Sequence, residues 1–381
     1  MKNYEMIATT TFGLEAIVKR ELLNLGFDVI GTENGKVTFL ADIKGIIKAN
    51  LWLRCADRVL LKVAEFKAVN FDELFDKTKS IDWSEFIPKN GRFPVDGQSI
   101  KSTLFSISDS QAIVKKAIVE SLKGKYKIEW FPEDGPVFNV KVSLLKDIAT
   151  LTIDTSGTAL HKRGYRQNAV IAPLKETLAA ALVSLSFWNK DRILVDPFCG
   201  SGTIPIEAAL MARNIAPGLY RDFVCKEWPL IDEAIWKEVS REAYAAIDND
   251  SEIKIFAYDI SHENIEASIE NADEAGVLDC ITFEQKDFKD YLPEDNYSIL
   301  ITNPPYGDRL SDQEEVTKLY QLMSKKLKDL KTWSIYVITS DKDFENTFGK
   351  IADRRRKLYN GRIETIYYQF HGQNPKKEAT E

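Results

Sequence analysis

Residues 303–306 read Asn-Pro-Pro-Tyr and stand directly behind the apolar run 299–302. The side-chain oxygen of Asn303 and the main-chain carbonyl of Pro304 are hydrogen-bond acceptors, and Pro304 with Pro305 keeps the backbone stiff and extended so that both stay in place. Two such acceptors suit the two hydrogens of an exocyclic amine on a nucleobase. That amine is a poor nucleophile because its lone pair is delocalised into the ring, and bonding both N–H groups localises the pair on nitrogen. Tyr306 offers a ring on which the base can stack. No strong general base is required, since an alkylated amine loses its proton after transfer. A proline turn closed by a tyrosine is the competing explanation, and the chain upstream decides between them.

Upstream, "VDPFCGSGT" ends an apolar strand at Val195, sets Asp196 at the tip and turns through Gly200 and Gly202 into a helix near Thr203. Glycines there let the backbone approach a ligand, and a helix start offers unpaired N–H groups. The spacing is neither G-x-G-x-x-G nor a P-loop, and Asp196 would repel a pyrophosphate, so a cationic amino-acid moiety fits better. "FAYDIS" puts Asp259 at a second tip, where a carboxylate accepts from ribose hydroxyls. "QKDF" puts Asp287 and Phe288 at a third, to receive an adenine amino group and cover its face. A single acid at a strand end is usually a solvated cap; three on consecutive tips point to one site.

These residues need a frame to bring them together. From about residue 170, strands rich in Ile, Val and Tyr alternate with helices: a helix at 172–187, "RILVDPF", a helix at 204–214, "KIFAYDIS", a helix at 262–275, "ITFEQKDF", "YSILITNPPY", a helix around 314–329, "WSIYVITS" and "RIETIYYQF". That pattern predicts a mainly parallel, doubly wound sheet with its ligand outside the carboxyl ends of the strands. Residues 1–155 instead mix short helices with alternating strands and predict small α+β units, and "DTSGTALHKRGYRQN" at 154–168 reads as a junction.

The chain has 381 residues, 44% of them apolar, enough for two to three domains with real cores. The four cysteines and three histidines are dispersed, so neither a zinc site nor a disulfide framework is written in the sequence. No cysteine lies in the 303–306 loop, which excludes thiol-dependent attack on a pyrimidine carbon there. Net charge is −7, but residues 201–300 carry 8 basic and 22 acidic side chains while residues 101–200 carry 14 and 10. A polyanion is therefore expected to avoid the acidic segment and to use the middle of the chain and the cluster Arg354, Arg355, Arg356, Lys357. The longest apolar run is too short to span a bilayer and no signal peptide is present, so a cytoplasmic location is expected.

With "DPFCGSGT", Asp259, Asp287 and "NPPY" in place, the chain resembles a class I S-adenosylmethionine-dependent methyltransferase. The resemblance implies that Asp196, Phe198, Gly200, Gly202 and Thr203 surround the methionine part of the cofactor. It gives the ribose to Asp259 with Ile260 and the adenine to Asp287 with Phe288. Asn303 lies against cofactor and target alike, and Pro173, with Lys175 and Glu176 of "APLKE", approaches the methionine end. One departure is the 59-residue distance from Gly200 to Asp259, caused by an acidic insertion at about 215–251 whose purpose the sequence leaves open.

The order of a ferredoxin-like segment, "SIKSTLFSISDSQAIVKKAI", "LHKRGYR", "APLKETLAAALV", "DPFCGSGT" and "NPPY" is similar to THUMP-domain RNA methyltransferases, and most similar to the bacterial enzymes that make N2-methylguanosine in large-subunit ribosomal RNA. The implied fold is a C-terminal Rossmann-like α/β domain with a mixed seven-stranded sheet, preceded by an α+β ferredoxin-like and THUMP region. The implied domains are 1–65, 66–158 and 159–381. Lys101, Lys115, Lys116, His161, Lys162, Arg163 and Arg166 are the expected RNA contacts. The expected partner is 23S rRNA and the cofactor S-adenosylmethionine, with no metal and no membrane; the sequence leaves the oligomeric state open, and a monomer is assumed. Some relatives carry a second methyltransferase domain, for which a chain ending at Glu381 has no room. Adenine-N6 methylation of DNA or RNA, guanine-N2 methylation of tRNA, and an RNA-binding protein with an inactive methyltransferase half are the alternatives, because the Asn-Pro-Pro-Tyr corner serves any exocyclic base amine.

Overall fold

The computed structural model describes residues 2–166, 174–293, 297–306 and 310–373. They form two compact units. The first comprises residues 1–10, 18–160 and 221–242, and the second residues 11–17, 161–220 and 243–381.

The first unit is built on strands β1 (Tyr4–Thr9), β2 (Asp28–Glu33), β3 (Lys36–Ala41), β4 (Arg58–Lys67), β5 (Val95–Ile100), β6 (Val140–Leu145) and β7 (Ile148–Asp154). They make one sheet in the order β2-β3-β1-β4-β7-β6-β5, antiparallel except for the β5–β6 pair. The ten-residue β4 pairs with β1 through its first half and with β7 along most of its length. A boundary at 65/66, expected from the sequence, therefore falls inside a strand that both halves share. The helix Ile107–Tyr126 covers one face: a Cβ added at Gly97 of β5 would stand 3.1 Å from Gln111 and 3.2 Å from Ile107.

The acidic insertion finds its place in this unit. Trp228 stacks on Phe138 with ring centroids 4.8 Å apart and donates its indole N–H to the Val137 carbonyl at 2.9 Å. The Cys225 N–H donates to the Thr155 carbonyl at 3.2 Å, and Lys44 pairs with Glu238 at 2.6 Å. Residues 221–242 thus belong with the first unit although the sequence reading assigned them to a continuous 159–381 domain. A buried tryptophan and its backbone hydrogen bond supply the physical reason.

In the second unit, strands β8 (Leu194–Asp196), β9 (Ile255–Asp259), β10 (Ile281–Gln285), β11 (Ile299–Thr302), β12 (Ser334–Thr339), β13 (Arg354–Asn360) and β14 (Ile363–Phe370) pair in the order β10-β9-β8-β11-β12-β14-β13. β8 to β12 are parallel, and β14 returns antiparallel with β13 at the edge. β11 and β12 are buried throughout, as expected of strands covered on both faces. The order reverses beside β8, between β9 and β11, which makes the carboxyl ends of these three strands the topological switch point. Among the described residues no helix is long and apolar enough to cross a membrane.

Candidate active site

A cavity of about 500 Å³ opens at that switch point. Asp196, Phe198, Gly200, Thr203, Asp259, Ile260, Asp287, Phe288, Asn303 and Pro305, all singled out in the sequence, line it. Pro173 lies outside the described residues.

The tip of β8 brings Asp196 to the cavity almost without exposure, at 1%. Its Oδ1 accepts from the Thr302 hydroxyl at 2.6 Å and from the Phe198 N–H at 3.2 Å. No cation pairs with it among the described residues, and burial pushes its carboxyl up to about 7. A buried carboxylate that faces a cavity and lacks a positive partner is suited to the ammonium of an amino-acid ligand.

Asp259 is more committed than the sequence implied. Its Oδ2 accepts from the Gly200 N–H at 2.9 Å, and its Oδ1 from Ser261 N–H and Asn264 Nδ2, both at 3.0 Å. Three internal donors leave chiefly Oδ2 for a ribose hydroxyl. Asn264, which also lines the cavity, is a neighbour that the sequence reading passed over. Its signal was local, five residues along on the first turn of the helix His262–Glu274.

The two glycines of the loop do different work. Gly200 has φ +54°, a conformation that side chains rarely adopt, and nothing would crowd its Cβ. Gly202 does not line the cavity: a Cβ there would meet Ser268 at 2.9 Å, so this glycine permits close helix packing and is not an approach to ligand. Opposite them, Phe198 and Phe288 face each other at 5.0 Å and form an aromatic wall. Phe288 is buried and also stacks on Tyr291, while the Asp287 carboxylate pairs with Lys289 at 2.9 Å.

At the end of β11 the Asn303 side chain reaches the cavity half-buried, Pro304 is buried and Pro305 is exposed. The Tyr306 hydroxyl donates to Asn303 Oδ1 at 2.6 Å, which fixes the amide orientation and leaves that oxygen one lone pair. Behind the corner, the buried Tyr320 donates to the Pro305 carbonyl at 3.2 Å and lies 2.9 Å from the Thr339 hydroxyl, which accepts from the Asp341 N–H at 3.1 Å. This chain of hydrogen bonds ties the corner to the end of β12. Thr302, next to Asn303, ties it to Asp196.

The residues expected to touch RNA separate into two groups. The Arg163 guanidinium is buried against the carboxylate of Glu207 at 3.2 Å, with the Tyr165 hydroxyl on the same carboxylate at 3.3 Å. Arg166 pairs with Glu176 at 3.2 Å and donates to the Thr203 hydroxyl at 2.6 Å. Both arginines brace the start of the glycine-loop helix, and neither is free for a phosphate. Glu176 is accordingly a brace and not a cavity residue. Burial and the charges of Lys175, Lys162, Arg163 and Arg166 push His161 down to about 4, so it is neutral at physiological pH. Lys115 donates to Glu133 at 2.7 Å and lies over the Phe93 ring at 3.6 Å. Lys101, Lys116 and Lys162 are exposed.

A doubly wound sheet of this order, with a carboxylate and a glycine turn on its first strand and Asn-Pro-Pro-Tyr on its fourth, defines a class I S-adenosylmethionine-dependent methyltransferase. More particularly, the chain belongs to the family described as RMKL-like, methyltransferase domain, whose model matches residues 163–369. Residues 5–60 match an RlmL ferredoxin-like domain and residues 68–154 a THUMP domain. The chain is 50% identical over 385 residues to a Bacillus subtilis (strain 168) protein named "Putative RNA methyltransferase YpsC", covering 100% of both. Among solved structures it is similar to a "predicted N6-adenine-specific DNA methylase from Listeria monocytogenes str. 4b F2365", at 49% identity and TM-score 0.94, over 98% of this chain and 97% of that one. It is also similar to "SMU.472, a putative methyltransferase complexed with SAH", at 44% identity and TM-score 0.93, over 98% and 99%.

Proposed function

We propose that the protein methylates the exocyclic N2 amine of a guanosine in RNA, within large-subunit ribosomal RNA. The observation that carries the reading is the sharing of one cavity by Asp196, Asp259 and Asn303, a cation and ribose site beside an amine acceptor. S-adenosylmethionine supplies a methyl group made electrophilic by a positively charged sulfur. Asp196 holds the cofactor's ammonium, Asp259 a ribose hydroxyl, and Phe288 the adenine face, with the Phe198 ring 5.0 Å from that of Phe288 on the methionine side. The remaining lone pair of Asn303 Oδ1 and the Pro304 carbonyl accept the two amine hydrogens and aim the nitrogen lone pair at the methyl carbon. As the N–C bond forms, the S–C bond breaks and its electrons return to sulfur. The methylated nitrogen then gives its proton to water, so no residue need be a strong base. Of the basic residues expected to touch RNA, the exposed Lys101, Lys116 and Lys162 are the ones that meet it.

RNA as substrate is supported by the THUMP match and by the name of the Bacillus relative, and guanine-N2 rests on the resemblance of the motif order to the bacterial large-subunit ribosomal RNA enzymes. A second reading, adenine-N6 methylation, is favoured by the description of the Listeria protein. Incubation with unmethylated ribosomal RNA, transfer RNA and duplex DNA, followed by nucleoside analysis, separates the two. N2-methylguanosine in ribosomal RNA is expected; N6-methyladenine in its place would overturn the first reading.

A further inference from the structure

Three exposed large apolar side chains lie side by side at one end of β5, β6 and β7, Ile100, Leu145 and Ile148, and the exposed Phe105 follows on the connection out of β5. Ile100, Leu145 and Ile148 occupy paired positions on the three neighbouring strands and so project from one face. That face is the one opposite the helix Ile107–Tyr126, since Ile100 lies an odd number of residues from the helix-covered Gly97. Phe105, 84% exposed, sits on the connection leaving β5.

The connection is held firmly. Thr103 N–H donates to the Asp147 carboxylate at 2.6 Å, Asp147 N–H to Ser102 Oγ at 3.1 Å, Ser99 Oγ to the Leu104 carbonyl at 2.7 Å, and Lys146 N–H to the Ile100 carbonyl at 3.2 Å. Leu104 is buried, so the residue beside Phe105 anchors it. Lys146 and Asp147, with φ of 50° and 64°, are the two residues of the β6–β7 hairpin turn, for which positive φ is the ordinary geometry, and Lys101 on the connection out of β5 has φ 49°. A rigid loop that spends its hydrogen bonds on presenting a phenylalanine to water suits a rigid planar partner. The charge around it selects that partner: Lys67, Lys101 and Lys146 are exposed and form no ion pair among the described residues. Lys67 lies opposite Ile148 in the β4–β7 register, so one cation stands at the end of the apolar row Ile148, Leu145, Ile100, while Lys101 and Lys146 follow that row's last two residues and the Asp147 carboxylate beside them is held by the Thr103 N–H.

We infer that this end of the sheet is a stacking platform for unpaired nucleotides of the substrate RNA, with a base on Phe105 and flanking phosphates on Lys101 and Lys146. The inference rests on RNA being the substrate. Aromatic stacking needs a free base face, so the platform discriminates single-stranded from duplex RNA, which the lysines alone would not do.

The test is fluorescence anisotropy of the full-length protein with a short labelled single-stranded RNA of mixed sequence and with its blunt duplex. Phe105→Ala should weaken the single strand roughly 5- to 100-fold and leave the duplex within about twofold, while Phe105→Trp restores binding. Lys101→Gln with Lys146→Gln should weaken both and reduce the salt slope by about two. Unchanged affinity of Phe105→Ala, or equal loss for single strand and duplex, would overturn the platform. So would sedimentation showing a dimer that Phe105→Ala dissociates, since the patch would then join two copies. Methyl incorporation into ribosomal RNA by the wild type keeps the substrate reading separate: if it persists while the binding results fail, only the platform falls. Incorporation into duplex DNA alone would remove both.

Discussion

The two ends of the cavity are prepared differently. At the cofactor end, Asp196 and Asp259 are buried and carry five internal hydrogen-bond donors between them. At the target end, Asn303 and Tyr306 are half-buried, Pro305 is exposed, and Asn303 Oδ1 takes one donor, from Tyr306. The first end is shaped before anything enters. The second offers open acceptor capacity and is steadied from behind by Tyr320 and Thr302. Rigid burial suits a small ligand that is always the same, whereas a base must be brought in from a large polymer and released.

If the ends are separable, substitutions should divide into those that change turnover and those that change cofactor affinity. Asn303→Ala has the largest expected effect, a loss of turnover of roughly 100- to 1000-fold, by analogy with removing one preorganised hydrogen-bonding group from a reaction centre. Calorimetric affinity for S-adenosylhomocysteine should stay nearly unchanged; a parallel loss of affinity would merge the two ends.

The next effect is a pH dependence that belongs to the cofactor end alone. With Asp196 pushed up to about 7, its carboxylate form is lost as pH falls through that value, so cofactor affinity should fall by up to about tenfold per pH unit below it. Asp196→Asn should flatten the profile. The same group acts on the ligand-free fold with opposite sign to an ordinary salt-bridged carboxylate. The native state keeps the proton longer than the unfolded chain, so stability declines as pH rises from about 4 towards 7 and is level above that. Melting temperatures of wild type and Asp196→Asn across this window measure it.

Smallest is Tyr320→Phe, which removes the hydrogen bond to the Pro305 carbonyl while keeping the buried ring. A drop in kcat of roughly 3- to 10-fold at constant cofactor affinity is expected, the size of one ordinary hydrogen bond.

Much of the cofactor end was legible because its signals are local: an apolar run, an acid, a glycine turn and a helix start follow one another along the chain. The braces were not, because their partners are remote. Thr302 meets Asp196 across 106 positions, and Arg163 meets Glu207 across 44. Nothing in "LHKRGYR" distinguishes an arginine that will find a buried glutamate from one that will wait for a phosphate. Gly202 illustrates the same limit, since the side chain it makes room for is Ser268 on another helix. The architecture itself was readable from the change in periodicity near residue 170, but the place of the acidic insertion was not, because Trp228 contacts a carbonyl 91 positions back.

That tryptophan sets where the polypeptide can be divided. A fragment stopping at Leu160 would leave the Phe138 ring and the Val137 carbonyl without their indole cover, and the remainder would display an orphaned tryptophan. Attempts to express the RNA-binding half by itself should therefore graft residues 221–242 onto it through a short linker, treating an excursion of the catalytic sequence as a missing piece of its neighbour.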